Sequence, residues 1–174
     1  MTSSWKTTLF AVMSVALTGW AGSGSAADAA ATAGAGLSLP PDKACGLLAD
    51  KGIPAAGGYR ATMGSVHLCG SFQKVIPVSN GDFDTLQFSA QGTEAAVTQL
   101  ELDLRLKSMG EVQSAFRYLL ENVELLAERA LGAKVPEEAQ VAIRSGVTGK
   151  WPLGGATLTV ERITAISEFL VTIK

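Results

Sequence analysis

The chain has 174 residues, with 14 Lys and Arg against 16 Asp and Glu, a formal charge of −2 and 47% hydrophobic residues. That length suits one domain with a single substantial core. No segment gathers Lys or Arg into the basic footprint that nucleic-acid phosphates require, so nucleic-acid binding is excluded.

Met1–Ala26 reads as a cleavable export signal. Lys6 precedes an apolar stretch from Leu9 to Trp20, which runs into Ala21-Gly22-Ser23-Gly24-Ser25-Ala26, small residues that a signal peptidase accepts. The stretch is shorter than the roughly 20 residues needed to span a bilayer as a helix. The expectation is a periplasmic protein with no stable membrane anchor after cleavage. Residues 27–36 are almost wholly Ala, Gly, Asp and Thr and predict a flexible leader. The remaining 37–174 form the expected domain.

A short helix near Asp42–Lys51 would carry Cys45. Its pair is Cys69, and in an oxidising compartment two isolated cysteines point to a structural disulfide. The loop between them contains Gly52, Pro54, Gly57, Gly58 and Gly64, too little regular structure to order itself. His67, two residues before Cys69, is the chain's one histidine. With Cys69 consumed by the disulfide, too few ligands stand nearby for a zinc site, and no metal or cofactor is expected.

Extended runs are predicted at Phe72–Val78 and Phe83–Gln91, separated by Ser79-Asn80-Gly81-Asp82, whose Asn-Gly is a strong turn signal. In the next run Thr98, Leu100, Leu102, Leu104 and Leu106 alternate with Gln99, Glu101, Asp103, Arg105 and Lys107. That pattern gives an antiparallel sheet with one buried and one wet face. On the wet face the neighbouring Arg105 and Lys107 are expected to hold Glu101 and Asp103 ionised with low pKa values.

Ser108-Met109-Gly110-Glu111 has the spacing of a capping box. An apolar stripe through Val112, Phe116, Leu119, Val123, Leu126 and Ala130 then predicts a long helix ending at Gly132. Pro136 with Glu137 and Glu138 starts a shorter helix that stops at Gly146. Extended runs at Ala156–Glu161 and Glu168–Ile173 close the chain. The predicted fold is α+β: an antiparallel sheet of about five strands packed on one long helix, with one or two short helices and one disulfide.

Cys45-Gly46-Leu47-Leu48, Gly52-Ile53-Pro54 and Leu68-Cys69-Gly70-Ser71, with the strand pair, long helix and closing hairpin behind them, resemble a family of exported proteobacterial proteins of unknown function. The resemblance spans roughly residues 37–173. It implies the fold and the compartment, and it transfers no site residue.

The sequence contains no Gly-x-Ser-x-Gly elbow, phosphate loop or metal-ligand cluster, and the reading is that this is not an enzyme. Elimination leaves a non-catalytic periplasmic binding protein, an inhibitor or immunity protein that occludes a secreted toxin or hydrolase. Its partner would be another periplasmic or delivered protein. The alternatives are a carboxylate-dependent hydrolase, with Asp82 and Asp84 as candidate acids, and a binder of a small apolar ligand. Candidate contact residues are Trp151, in the Gly-rich stretch Trp151-Pro152-Leu153-Gly154-Gly155, and Tyr59 with Arg60 in the stapled loop, since large aromatics are favoured at binding hot spots. The competing role for Trp151 is to plug the end of the core.

Overall fold

Strict alternation of apolar and polar residues forces a strand to bury one face, and two such strands side by side seed the centre of this fold. The computed structural model describes residues 36–62, 64–77, 83–107 and 112–174. The expected export signal, most of the leader, the Asn80-Gly81 turn with Asp82, and the Ser108–Glu111 capping box lie outside these residues.

In chain order the elements are α1 (Pro41–Cys45), β1 (Arg60–Ala61), β2 (His67–Gly70), β3 (Lys74–Pro77), β4 (Phe83–Gly92), β5 (Val97–Arg105), α2 (Val112–Leu131), α3 (Glu137–Ser145), β6 (Gly149–Leu153), β7 (Ala156–Ile163) and β8 (Glu168–Ile173). The strands form one sheet in the order β1-β2-β4-β5-β8-β7-β6, with β3 also paired to β4. Every pairing among the described strands is antiparallel.

This corrects the expected architecture. The sheet has eight strands instead of about five, and its apolar face meets three helices instead of one long helix. The missed strands are those with little alternation to read: β1 has two residues, β2 ends in Gly70, and β6 contains Pro152, a residue that weakens a strand assignment. The stretch expected to be a Gly-rich loop at Trp151 is strand β6, turned into β7 by Gly154-Gly155, both at positive φ as a tight hairpin requires.

β2 and β3 are two pieces of one flank on β4, joined at a kink. Between them Ser71 keeps hold of β4: its N–H donates to Phe88 O at 2.8 Å, and its Oγ accepts from Phe88 N at 2.9 Å. The kink turns Phe72 outward, where it is 80% exposed. A second irregularity lies where β4 meets β5. Gln91 pairs with Gln99 but Gly92 pairs with Val97, which leaves Thr98 as the extra residue of a bulge. Val97 therefore enters the core and Thr98 is exposed, reversing the expected place of Thr98.

Leu86 and Phe88 of β4, Leu100, Leu102 and Leu104 of β5, Phe169 and Val171 of β8, and Leu158 of β7 form the apolar face. α2 lies on it, with Phe116 edge-on to Phe169 at 4.7 Å. α3 packs beside α2 and ends at Gly146, at φ +63°, where a Cβ would collide with the Phe116 ring at 2.8 Å. α1 is tied to the same face by the Cys45–Cys69 disulfide, since Cys69 pairs with Ala90 on that side. Arg129 of α2 adds a second tether, donating to Leu47 O and pairing with Asp50 at 2.6 Å. None of the described helices is long and apolar enough to cross a membrane.

Candidate functional site: the polar face of the sheet

All three described helices occupy one face, so the opposite face carries the chemistry of the alternate strand positions. Register places these residues in rows across the sheet. One row runs Val75, Thr85, Arg105, Glu168 and Ile163; the next runs Gln87, Asp103, Leu170 and Glu161; a third runs Gly70, Ser89, Glu101, Thr172 and Thr159. Acidic groups from β5 and β8 are thereby set side by side, although Arg105 and Glu168 are 63 residues apart in sequence.

At the centre Arg105 holds two carboxylates. Its Nε donates to Asp103 Oδ2 and to Glu168 Oε1, each at 3.2 Å, and its Nη2 reaches the same oxygens at 3.1 and 3.2 Å. The Asp103 side chain is 14% exposed and that of Glu168 8%. Burial and a carboxylate neighbour both disfavour the charged form of Asp103. Burial, then the hydrogen bond and charge of Glu168, push the Asp103 carboxyl up to about 7 against the pull of Arg105. Burial likewise raises Glu101, against a hydrogen bond from Gln99 at 3.2 Å. The expectation that both acids are held low is thus overturned. It counted the basic neighbours along β5 and missed burial and Glu168, which arrives from β8.

Beside the cluster is a shallow hollow of about 220 Å³ lined by Leu68, Gln87, Ser89, Gln91, Glu101 and Asp103. Ser89 Oγ and Asp103 Oδ1 are buried there without a hydrogen-bond partner. Apolar side chains stand at both ends of the first row, Val75 of β3 at 49% exposed and Ile163 of β7 at 41%, and Phe83 of β4, 45% exposed, lies two residues before Thr85 with the Lys107 ammonium 5.5 Å above its ring. Chemically this is a dry, acid-centred surface with an apolar margin. Among the described residues no group of three His, Cys, Asp or Glu is placed to hold a metal ion.

No family model, curated protein or solved structure matches the chain.

The residues singled out from sequence fall elsewhere and are not brought together. Trp151 lies in β6, at one end of the sheet, on the apolar side opposite Leu158; it is half-buried against the core, and a Cβ on Gly149 would strike its ring at 2.3 Å. Tyr59 and Arg60 lie at the other end. The Tyr59 ring stacks on His67 at 5.7 Å and its hydroxyl donates to Thr93 O at 2.8 Å, while Arg60 is exposed in β1. Asp84 is wholly buried, and its Oδ1 accepts from the Lys107 N–H at 2.8 Å, a role in fixing the end of β5.

The raised Asp103 carboxyl has a signed consequence. Its pKa is about 7 in the folded chain against 3.8 for the ordinary group, so the folded state holds the proton more tightly. The stabilisation is complete below pH ~4 and is lost as pH rises towards 7. Arg105, Glu101 and Glu168 are the charged groups that face it. Urea unfolding should show the protein losing about 1–2 kcal/mol between pH 5 and 8, and Asp103→Asn should flatten that fall. Equal slopes for the two proteins would show that Asp103 is not the titrating group.

Proposed function

We propose that this chain is an exported, non-catalytic binding protein, an inhibitor or immunity protein that blocks a secreted toxin or hydrolase by covering it with the polar face of the sheet. The observation that carries the reading is the row in which exposed Val75 and Ile163 flank Arg105 and its two largely buried carboxylates, Asp103 and Glu168. Interfaces combine apolar contact with a few fixed charges in the same way. The Cys45–Cys69 disulfide is consistent with an oxidising compartment such as the periplasm. The resemblance to exported proteobacterial proteins points the same way.

The test is complex formation with the product of a neighbouring gene for a secreted toxin or cell-wall hydrolase. The two proteins should co-elute, and Ile163→Asp and Val75→Asp should each weaken the complex at least tenfold, about 1.4 kcal/mol. Absence of a complex, or one indifferent to both substitutions, overturns the proposal. A hydrolase is the second reading, favoured specifically by Asp103 at about 7 beside Glu101 on the same hollow. Its sign would be a turnover that Asp103→Asn abolishes.

A further inference from the structure

Position 162 breaks the alternation that builds the apolar face. On β7 it follows Leu158 and Val160, both buried, and its register partner is Phe169 of β8, so the pattern calls for an apolar side chain. The residue there is Arg162. Its guanidinium stands over the Phe169 ring, 5.3 Å from the centroid.

A stacked arginine by itself is packing, since its stem covers the ring while its head stays in water. The space beside this one sets it apart. A hollow of about 190 Å³ lies between the start of α2, the end of α3, the end of β7 and the start of β8. It is on the other side of the sheet from the polar face, and the binding role above does not use it. Leu106, Val112, Phe116 and Phe169 make its lining apolar. Gly146 borders it too, and a Cβ there would stand 2.8 Å from the Phe116 ring and 3.1 Å from that of Phe169, so glycine leaves both rings in place. Among the described residues Arg162 is the one charge on this lining, and it makes no ion pair with any of them. An unopposed cation therefore faces an apolar hollow.

We infer that this hollow binds a small aromatic carboxylate. The carboxylate meets the Arg162 fork, which matches it with two parallel hydrogen bonds. The ring lies against Val112, Phe116 and Leu106, and the volume admits one ring, given that an apolar cavity of about 150 Å³ takes benzene. A bare anion would use the arginine and leave the apolar wall empty. A neutral ring would leave the cation unanswered.

An amide chemical-shift titration of the intact protein with sodium benzoate tests the site. One saturable set of shifts is expected at Gly146, Arg162 and Phe169, with half-saturation below about 10 mM, the affinity that ordinary ligand efficiency gives one ring and a carboxylate. Arg162→Gln should weaken it about tenfold or more, as loss of a charge-assisted pair requires. Lys43→Gln, an equal loss of charge on α1, should leave it within about twofold, because exposed charges that far apart are screened. Both positions are exposed, so folding is not at issue. Absence of saturable shifts overturns the site. So does acetate binding as tightly as benzoate, which would mean attraction to a bare cation, or benzyl alcohol binding as tightly, which would leave the arginine without a part. Equal weakening by the two substitutions would mean diffuse charge and overturns it as well.

Discussion

Gly92→Ala is expected to destabilise the domain by about 3 kcal/mol, at the upper end for overpacking. A Cβ at this position would stand 2.1 Å from Ala96 O and 2.8 Å from both Thr98 N and Val97 Cα. All three are backbone atoms, so no side chain can swing aside. Relief requires opening the bulge that joins β4 to β5, where Thr93 N–H donates to Ala96 O and Val97 exchanges two hydrogen bonds with Leu39. For a domain of this size the loss corresponds to roughly 10 °C in Tm. Gly58→Ala is the matched control: a Cβ there meets nothing within 4 Å. It should be neutral or gain about 0.5 kcal/mol through the unfolded chain. Equal melting temperatures for the two variants would show that the bulge yields easily.

Replacing both Cys45 and Cys69 by Ala should cost about 3 kcal/mol. The bond joins residues 24 apart, and between them the regular structure among the described residues is a 3-10 turn at Ala49–Lys51, the two residues of β1 and the first two of β2. Without the bond, closing this loop falls to the packing of Leu47, Leu48 and Ile53 and to the Arg129–Asp50 pair. The second tether is exposed and adds little on its own. Hydrogen exchange should therefore locate the loosening in residues 46–68 before β4 or β5 is affected. A variant as stable as the parent would mean that packing alone orders the loop.

Long, strongly periodic segments were legible in the sequence. The alternation of Leu100, Leu102 and Leu104 gave β5, and the stripe from Val112 to Ala130, stopped by Gly132, gave α2 within a residue. The strands that widened the sheet were not legible, because β1, β2 and β6 are short and depend on neighbours for their pairing. The same limit hid the polar-face cluster. Glu101 and Asp103 stand two apart on one strand, so their shared side is visible locally, but Glu168 joins them through the register of β5 with β8. A pKa argument confined to sequence neighbours weighs Arg105 and omits both burial and the second acid. For Trp151 the sequence leaves two roles open, contact residue or plug at the end of the core, and only the pairing with Leu158 puts it on the apolar side.

The ends of the sheet limit how this molecule can associate. β6 closes one end with Lys150 and Pro152 exposed, and a proline offers no N–H to an incoming strand. The other end offers two residues of β1, and the kink at Ser71 interrupts the flank made by β2 and β3. Neither border can template a continuous ladder, so recruitment of a foreign strand, or runaway self-stacking, is disfavoured from both sides. Any association is left to the broad surfaces, where side chains rather than main-chain hydrogen bonds would make the contact.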